Sequence, residues 1–148
     1  MCCAIRAGKQ SLLCEEPCKE VFISRDFNHV LSGLGYVTRR ENCLDFGPGM
    51  GIMLPALARK FKHVVAIDID QIQLNSANTL VSKCEIDNVE FILGKEENEL
   101  CIFEDSMFDC VIADNVLEYI EHTELILPEF YRILNNNGTL IVSLPHRI

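Results

Sequence analysis

The feature that most constrains the fold of this chain is an alternation of short apolar runs with stretches in which apolar residues recur every three or four positions. Runs rich in Val and Ile, apolar on both faces, are typical of parallel strands covered by helices, and their connections are right-handed crossovers. The pattern therefore predicts an α/β fold: a doubly wound, Rossmann-like parallel sheet of about five strands with helices on both faces. The runs occupy residues 43–46, 64–67, 89–93, 108–113 and 139–144.

The chain before the first of these runs divides into two parts. Residues 1–20 have no apolar periodicity, so we expect a loosely ordered N-terminal arm. Apolar residues then recur at helical spacing from Phe27 to Leu34, where two glycines end the predicted helix. No linker divides the remainder, and 148 residues suffice for one domain with a core that can hold a ligand cleft. We therefore expect a single domain over residues 21–148.

Charge and hydropathy exclude several classes of protein. The net charge is -9, and residues 75–148 carry 4 basic and 14 acidic side chains. Broad nucleic-acid binding is not expected, because phosphate contacts need clustered Lys and Arg. No apolar stretch approaches the roughly 20 residues of a membrane span, and the N-terminus lacks an apolar secretory segment. We expect a cytoplasmic protein whose acidic half either meets a cationic or neutral partner or is a solvated surface.

The chain has eight cysteines, which raises the question of a metal site. Cys43, Cys84, Cys101 and Cys110 lie in apolar surroundings, where a free thiol packs as a small hydrophobic side chain. The other four lie within the first twenty residues in CC and CxxxC spacing. Zinc and iron–sulfur sites need different ligand spacings. No metal site is expected.

A glycine-rich loop follows the first of the five predicted strands. Gly47, Gly49 and Gly51 remove the Cβ atoms that would keep a ligand away from the backbone, and they permit positive φ. The second strand ends at Asp68, 17 residues after Gly51. A carboxylate there can accept hydrogen bonds from both hydroxyls of a ribose, and ligands of doubly wound sheets bind at this end of the strands. The context favours a ligand site over a bare tight turn.

The glycine spacing separates two classes of cofactor. Dinucleotide-binding units need GxGxxG, but Ile52 stands at the place of the third glycine, whereas GxGxG suits a ligand without a pyrophosphate. At this point the sequence resembles the class I S-adenosylmethionine-dependent methyltransferases, as a small member with a short C-terminus. The resemblance covers about residues 40–144. Its motifs are residues 44–51, 64–68, 108–112, 115–120 and 129–138.

The resemblance implies S-adenosylmethionine as the cofactor and assigns its methionine and ribose ends. Gly47, Gly49 and Gly51 would let the backbone pass against the methionine moiety. Asp45 would help to hold the amino group of that moiety, and Asp68 would bind the ribose hydroxyls. Asp45 could instead cap a neighbouring helix.

The same resemblance assigns the adenine and methyl ends. Ile69 would lie against the adenine ring. Lys95 stands where the family usually has Asp, so Glu96 is the substitute expected to meet the adenine amino group. Asp114 and Asn115 would lie beside the reactive methyl group, although Asp114 could also be a helix cap.

The implied function is methyl transfer to a small-molecule or protein acceptor by in-line displacement, with no catalytic residue assigned. Two alternatives stay open: a non-catalytic methyltransferase-like binding or interaction module, and a nicotinamide oxidoreductase. Tyr119 replaces a histidine that is frequent in the family, and a core residue is as consistent with its position as a substrate contact.

The C-terminus departs from the family pattern. Members usually continue with a helix and two further strands, one of which pairs beside the fifth strand, whereas this sequence stops at residue 148. The fifth strand would then be an apolar edge with unpaired backbone groups, which proteins normally cover. We expect a partner chain, a second copy in a homo-oligomer, or the N-terminal arm to cover it.

Overall fold

The computed structural model describes residues 4–7, 20–24, 27–95 and 99–144. Its strands, all parallel, form one seven-stranded sheet in the order β1-β2-β7-β6-β3-β4-β5. They are β1 (Ala4–Ala7), β2 (Glu20–Ser24), β3 (Asn42–Phe46), β4 (His63–Asp68), β5 (Val89–Leu93), β6 (Phe108–Asp114) and β7 (Leu134–Ser143). The helices are α1 (Phe27–Gly33), α2 (Leu54–Ala58), α3 (Gln71–Lys83) and α4 (Thr123–Ile133), with short 3-10 turns at Leu34–Tyr36, Glu99–Ile102 and Leu117–Tyr119. The five predicted strands are confirmed as β3 to β7.

Helices cover both faces of the sheet, as the apolar runs predict. Successive residues of a strand point to opposite faces, so each central strand contributes to two separate apolar cores. One core packs side chains of α1, α2 and α3 against the sheet, including Val30, Leu57 and Ala77. The other packs α4 and the 3-10 turn before β6, including Phe130 and Leu100. This arrangement confirms the doubly wound fold.

Two N-terminal strands were not predicted. β2 pairs with β7 from Glu20 opposite Thr139 to Ser24 opposite Ser143, and β1 pairs with the outer side of β2. β2 thus covers the edge of β7 for which the sequence analysis expected a partner, a second copy or the N-terminal arm, and the backbone groups of that edge are satisfied within the chain. An oligomer is no longer required at that edge. β1 and β2 escaped detection because their apolar runs are too short to show a period.

The cysteine prediction is half correct. Cys43 and Cys110 are buried neighbours on β3 and β6, as expected for small core side chains. Cys84 and Cys101 are exposed, so their prediction as core residues is wrong. Cys84 is the residue that follows α3, where the amphipathic pattern ends, and Cys101 lies in a 3-10 turn.

Arg132 near the end of α4 ties the segment before β6 to the body of the domain. Its guanidinium donates to the carbonyl oxygens of Leu100 and Phe103, both at 2.9 Å. It also contacts the carboxylates of Glu129 at 2.8 Å and Asp105 at 2.7 Å, and these raise the pKa of the guanidinium. The charged donor satisfies the carbonyl of Phe103 and gives the carbonyl of Leu100 a second hydrogen bond, since the latter also accepts from the N–H of Phe103 at 3.1 Å.

Arg132→Met is expected to lower the free energy of unfolding by about 2 to 3 kcal/mol, because two carbonyls lose a charged hydrogen-bond donor. Asp105→Ala, which removes only the exposed ion pair, is expected to cost less than about 1 kcal/mol. Urea unfolding at low and high salt checks both variants. Equal losses, or an Arg132 loss that salt abolishes, would show that the ion pairs rather than the carbonyls carry the effect.

Candidate functional site

The strand order reverses between β3 and β6, and a doubly wound sheet has a crevice at such a point, outside the carboxyl ends of the two strands. The connection after β3 runs to β4 on one side, whereas the chain leaving β6 runs to β7 on the other. The two loops meet at the base of the crevice, since a Cβ atom on Gly47 would lie 2.5 Å from Cγ2 of Val116. Doubly wound sheets bind ligands at such a point.

The three glycines of the loop after β3 have different surroundings. All three have positive φ, from 55° to 78°. A Cβ atom on Gly51 would lie 2.6 Å from the Cβ of Ala77 in α3, so Gly51, like Gly47, is required by packing within the protein. Nothing lies within 4 Å of a Cβ built on Gly49. Gly49 is therefore the glycine of the loop that presents its backbone to open space.

Asp45, the fourth residue of β3, is a buried carboxylic acid on a central strand. Its relative exposure is 1%, and neither carboxylate oxygen has a hydrogen-bond partner among the described residues. Burial raises the pKa of the Asp45 carboxyl from its ordinary 3.8 to about 7, and the charges of Asp114 and Asp68 add to the rise. Asp45 caps no helix, so that alternative is excluded. A buried carboxyl group without a partner is costly unless a ligand supplies one.

Asp68 at the end of β4 organises the loops that flank it. Its two oxygens accept hydrogen bonds from the backbone N–H groups of Gly49 at 3.2 Å and Asp70 at 2.9 Å. Asp70 is the N-cap of α3 and accepts from the N–H of Ile72 at 2.8 Å. Each Asp68 oxygen keeps a further lone pair for a ligand hydroxyl. Ile69 between them is 71% exposed and available to a flat apolar ligand group.

A hydrogen-bond network of Ser143, Asp114 and Asn115 joins the carboxyl ends of β6 and β7. The hydroxyl of Ser143 donates to Oδ1 of Asp114 and accepts from the backbone N–H of Asn115 at 2.9 Å. The side-chain amide of Asn115 also donates to Asp114 Oδ1, at 3.1 Å. Asp114 therefore accepts from Ser143 and Asn115 rather than capping a helix, and the place of Asp114 and Asn115 beside a methyl group stays a prediction. Ser143 was missed because it is a single serine in an apolar run; its one signal is its place in register opposite Asp114.

The three carboxylates of the crevice lie on one face of the sheet. Asp45 is paired with Ala66 of β4 and Ile112 of β6, so Asp68 and Asp114 each lie two residues beyond a partner of Asp45. Two residues along a strand return the side chain to the same face. The crevice is consequently lined by negative charge on the face that α1, α2 and α3 cover, which suits a cationic ligand.

Other predicted residues lie apart from this arrangement. Glu96 is outside the described residues, so its contact with an adenine stays a prediction. Tyr119 is 83% exposed, which excludes a core role. Among the described residues, no cluster of His, Cys, Asp and Glu could hold a metal ion. No helix in that part of the chain is both long and apolar enough to cross a membrane.

Comparison with known proteins agrees with this geometry. The family model described as a methyltransferase domain matches residues 44–142, which are 99 of the 148 residues. This chain belongs to the methyltransferase domain family. The match runs from Leu44 in β3 to Val142, the residue before the last of β7, and it includes all three carboxylates of the crevice.

Three relatives show what this methyltransferase domain is similar to. It is 32% identical to arsenite methyltransferase of Mus musculus, over 75% of this chain and 33% of that protein. It is 31% identical to ribosomal protein L11 methyltransferase of Clostridium perfringens, over 73% of this chain and 33% of that protein. The crystal structure of a SAM-dependent methyltransferase from Aquifex aeolicus matches with a TM-score of 0.63 and 26% identity, over 75% of this chain and 59% of that one. The chain thus spans about a third of the length of the curated relatives named here.

Proposed function

We propose that this methyltransferase domain binds S-adenosylmethionine in the crevice between β3 and β6 and takes part in methyl transfer to a small-molecule or protein acceptor. The observation that carries the proposal is the buried Asp45 carboxylate, which has no partner among the described residues. An ammonium group beside it would satisfy both oxygens and offset the cost of its burial. The methionine end of S-adenosylmethionine carries such a group.

The neighbouring residues fit the remaining parts of the same ligand. Gly49 leaves open space in which the methionine moiety can approach the backbone. Asp68 has lone pairs for the ribose hydroxyls, and the exposed Ile69 offers an apolar surface to the adenine. Asp114 and Asn115 would border the methyl group from the β6 side of the crevice.

Methyl transfer from a sulfonium needs little from the protein beyond the alignment of cofactor and acceptor. When bound, S-adenosylmethionine supplies a methyl group on a sulfonium, which needs no acid to leave. The chain's own contribution is to hold the cofactor and the acceptor in one geometry, an effect worth on the order of 7 to 11 kcal/mol in ideal cases. Asp45, Asp68 and Asp114 would favour a cationic ligand, within the screening length of about 8 to 10 Å at cellular salt.

The acceptor is proposed at the level of its class. One relative is named for a small inorganic acceptor, arsenite, and another for a protein acceptor, ribosomal protein L11. Both classes are consistent with a crevice at the carboxyl ends of two central strands. The predicted cytoplasmic location stays a part of this proposal.

Calorimetric titration with S-adenosylmethionine, S-adenosylhomocysteine and NAD tests the proposal. Binding of both adenosyl ligands without binding of NAD is the expected result. Binding of NAD alone would overturn it in favour of an oxidoreductase. Failure to bind any of the three would favour the non-catalytic module. Tritium transfer from labelled S-adenosylmethionine to small-molecule and peptide pools then separates turnover from binding alone.

Asp68→Ala is expected to weaken the affinity for S-adenosylhomocysteine by at least tenfold. The variant loses the acceptor for the ribose and also the acceptor for the N–H of Gly49. Asp70→Ala is the matched control, because it removes a helix cap worth about 1 kcal/mol two residues away and leaves the ribose acceptor in place. Calorimetry should show a change below threefold for the control. Unchanged affinity in Asp68→Ala would remove that carboxylate from the site.

A further inference from the structure

Ser143 stands out among the buried polar side chains because it joins the last strand of the sheet to the crevice. Its relative exposure is 1%, and its hydroxyl bonds to both residues that follow the apolar part of β6. No motif in the sequence assigns it a role. The three residues of β7 that precede it, Leu140, Ile141 and Val142, are buried and apolar.

The hydrogen-bond network of Ser143, Asp114 and Asn115 constrains the backbone of Asn115 as well as the carboxylate of Asp114. Asn115 has φ of 48°, in the left-handed region that Asn tolerates better than most residues. Its N–H is shared between the hydroxyl and the carbonyl oxygen of Ser143, at 2.9 and 3.2 Å. The turn that leaves β6 is therefore anchored to β7 at a single residue.

The same network determines which carboxylate oxygen of Asp114 remains available to a ligand. The donors to Asp114 among the described residues, Ser143 and Asn115, both reach Oδ1. Oδ2 has no hydrogen-bond partner among the residues that the structure describes. Asp114 lies on the same face of the sheet as Asp45 and close enough to affect its pKa. One oxygen is thus held by protein, and the other is left at the crevice.

We propose that Ser143 is a positioning residue for methyl transfer: it holds Asp114 and the Asn115 turn so that the free oxygen of Asp114 accepts a hydrogen bond from the nucleophile that attacks the methyl group. This inference rests on the proposed function. It assigns the acceptor an O–H or N–H group at the reacting atom, because a carboxylate oxygen aimed at the nucleophile recognises a donor.

Two cofactor analogues make the inference testable without the acceptor. S-Adenosylhomocysteine has nothing at the position of the transferred methyl group, whereas sinefungin carries an amine there. In the wild type, the amine of sinefungin meets the free oxygen of Asp114, so we expect sinefungin to bind more tightly than S-adenosylhomocysteine. Ser143→Ala is expected to lower this preference at least fivefold, with less than a twofold change in the affinity for S-adenosylhomocysteine.

A double-mutant cycle distinguishes positioning from general loosening of the site. Asp114→Asn alone is expected to lower the preference for sinefungin about tenfold, because it removes the charge that the amine meets. Ser143→Ala in the Asp114→Asn background should then change the preference by less than twofold, since its effect acts through Asp114. Additive losses would show that Ser143 acts by another route and would overturn the proposal.

The remaining outcomes are also decisive. Equal loss of both analogues in Ser143→Ala would indicate a structural role only, and an unchanged preference would exclude any role at the methyl position. If Ser143→Ala does not fold, Ser143→Cys keeps the size of the side chain with a much weaker donor and should show the same loss of preference. A wild type that binds neither analogue would instead refute the proposed function, which keeps the two failures distinct.

Discussion

Asp45→Asn is expected to weaken the binding of S-adenosylhomocysteine at least a hundredfold while making the ligand-free protein more stable at pH 8. The two effects have one cause. The carboxylate of Asp45 has no partner among the described residues, so it lowers the stability of the fold when ionised. The ammonium group of the ligand is the partner that the variant can no longer bind through its charge.

The sign of the pH dependence follows from the raised pKa of Asp45. The folded state holds a proton on this carboxyl up to about pH 7, whereas the unfolded chain releases it near pH 4. Its contribution to stability is therefore fully present below pH 4 and is lost as the pH rises to 7, a difference of about 4 kcal/mol. In Asp45→Asn this contribution no longer varies with pH, so the stability of the variant relative to the wild type should rise from pH 4 to pH 8.

Ligand binding should also depend on the ionisation of the Asp45 carboxyl. An ammonium group favours the ionised carboxylate, so the affinity of the wild type for S-adenosylhomocysteine should fall as the pH drops below 7. Calorimetry at pH 6.5 in buffers of different ionisation enthalpy should detect proton release on binding to the wild type and none on any residual binding to Asp45→Asn. Proton release of zero in the wild type would place the ligand's ammonium elsewhere.

Asp109 provides the matched control, because it is also a buried aspartate on a central strand. Its Oδ2 accepts from the backbone N–H groups of Glu41 at 2.7 Å and Asn42 at 3.1 Å, at the opposite end of the strands from the crevice. Asp109→Asn should therefore destabilise the protein at pH 8 and leave the affinity for S-adenosylhomocysteine within twofold. Unfolding by urea across pH 4 to 8 separates the two variants. If both destabilise alike, Asp45 has a partner within the protein and the cofactor argument fails.

Much of the fold was predictable because burial on both faces leaves a clear trace in sequence. A strand such as β6 must be apolar at nearly every position, and the helices between strands must be apolar on one side only. The crevice was predictable for the same reason, since its place follows from the order of strands. Asp68 was found because it ends a strand, whereas Asp45, Asp114 and Asn115 were assigned through the family resemblance.

The remaining features depend on contacts that no local pattern records. The pairing of β2 with β7 joins residues more than a hundred positions apart in sequence. The exposure of Cys84 depends on where α3 ends rather than on its apolar neighbours. The lack of a partner for Asp45 among the described residues and the link from Ser143 to Asp114 depend on how β3, β6 and β7 lie together. Sequence patterns place residues on elements, whereas the chemistry here depends on how the elements meet.

Alanine substitutions at Gly49 and Gly51 should have different effects: Gly51→Ala should lower stability most, and Gly49→Ala should lower ligand affinity. Both have positive φ, which costs an alanine about 1 to 2 kcal/mol. In Gly51→Ala the new Cβ would also lie 2.6 Å from Cβ and 2.9 Å from Cα of Ala77. The backbone of Ala77 can move away only if the whole of α3 shifts. We expect a total loss of roughly 3 to 5 kcal/mol of stability, enough to unfold a marginal domain.

Gly49→Ala should fold and lose its ligand. Its Cβ meets nothing within 4 Å, so the cost to stability is the backbone strain alone. The proposed path of the methionine moiety occupies that open space, and we expect the affinity for S-adenosylhomocysteine to fall at least tenfold. Thermal unfolding without ligand and calorimetry with it measure the two effects separately. A Gly49→Ala protein that binds as tightly as the wild type would show that the ligand does not pass this loop, and the role of the loop would then be confined to packing.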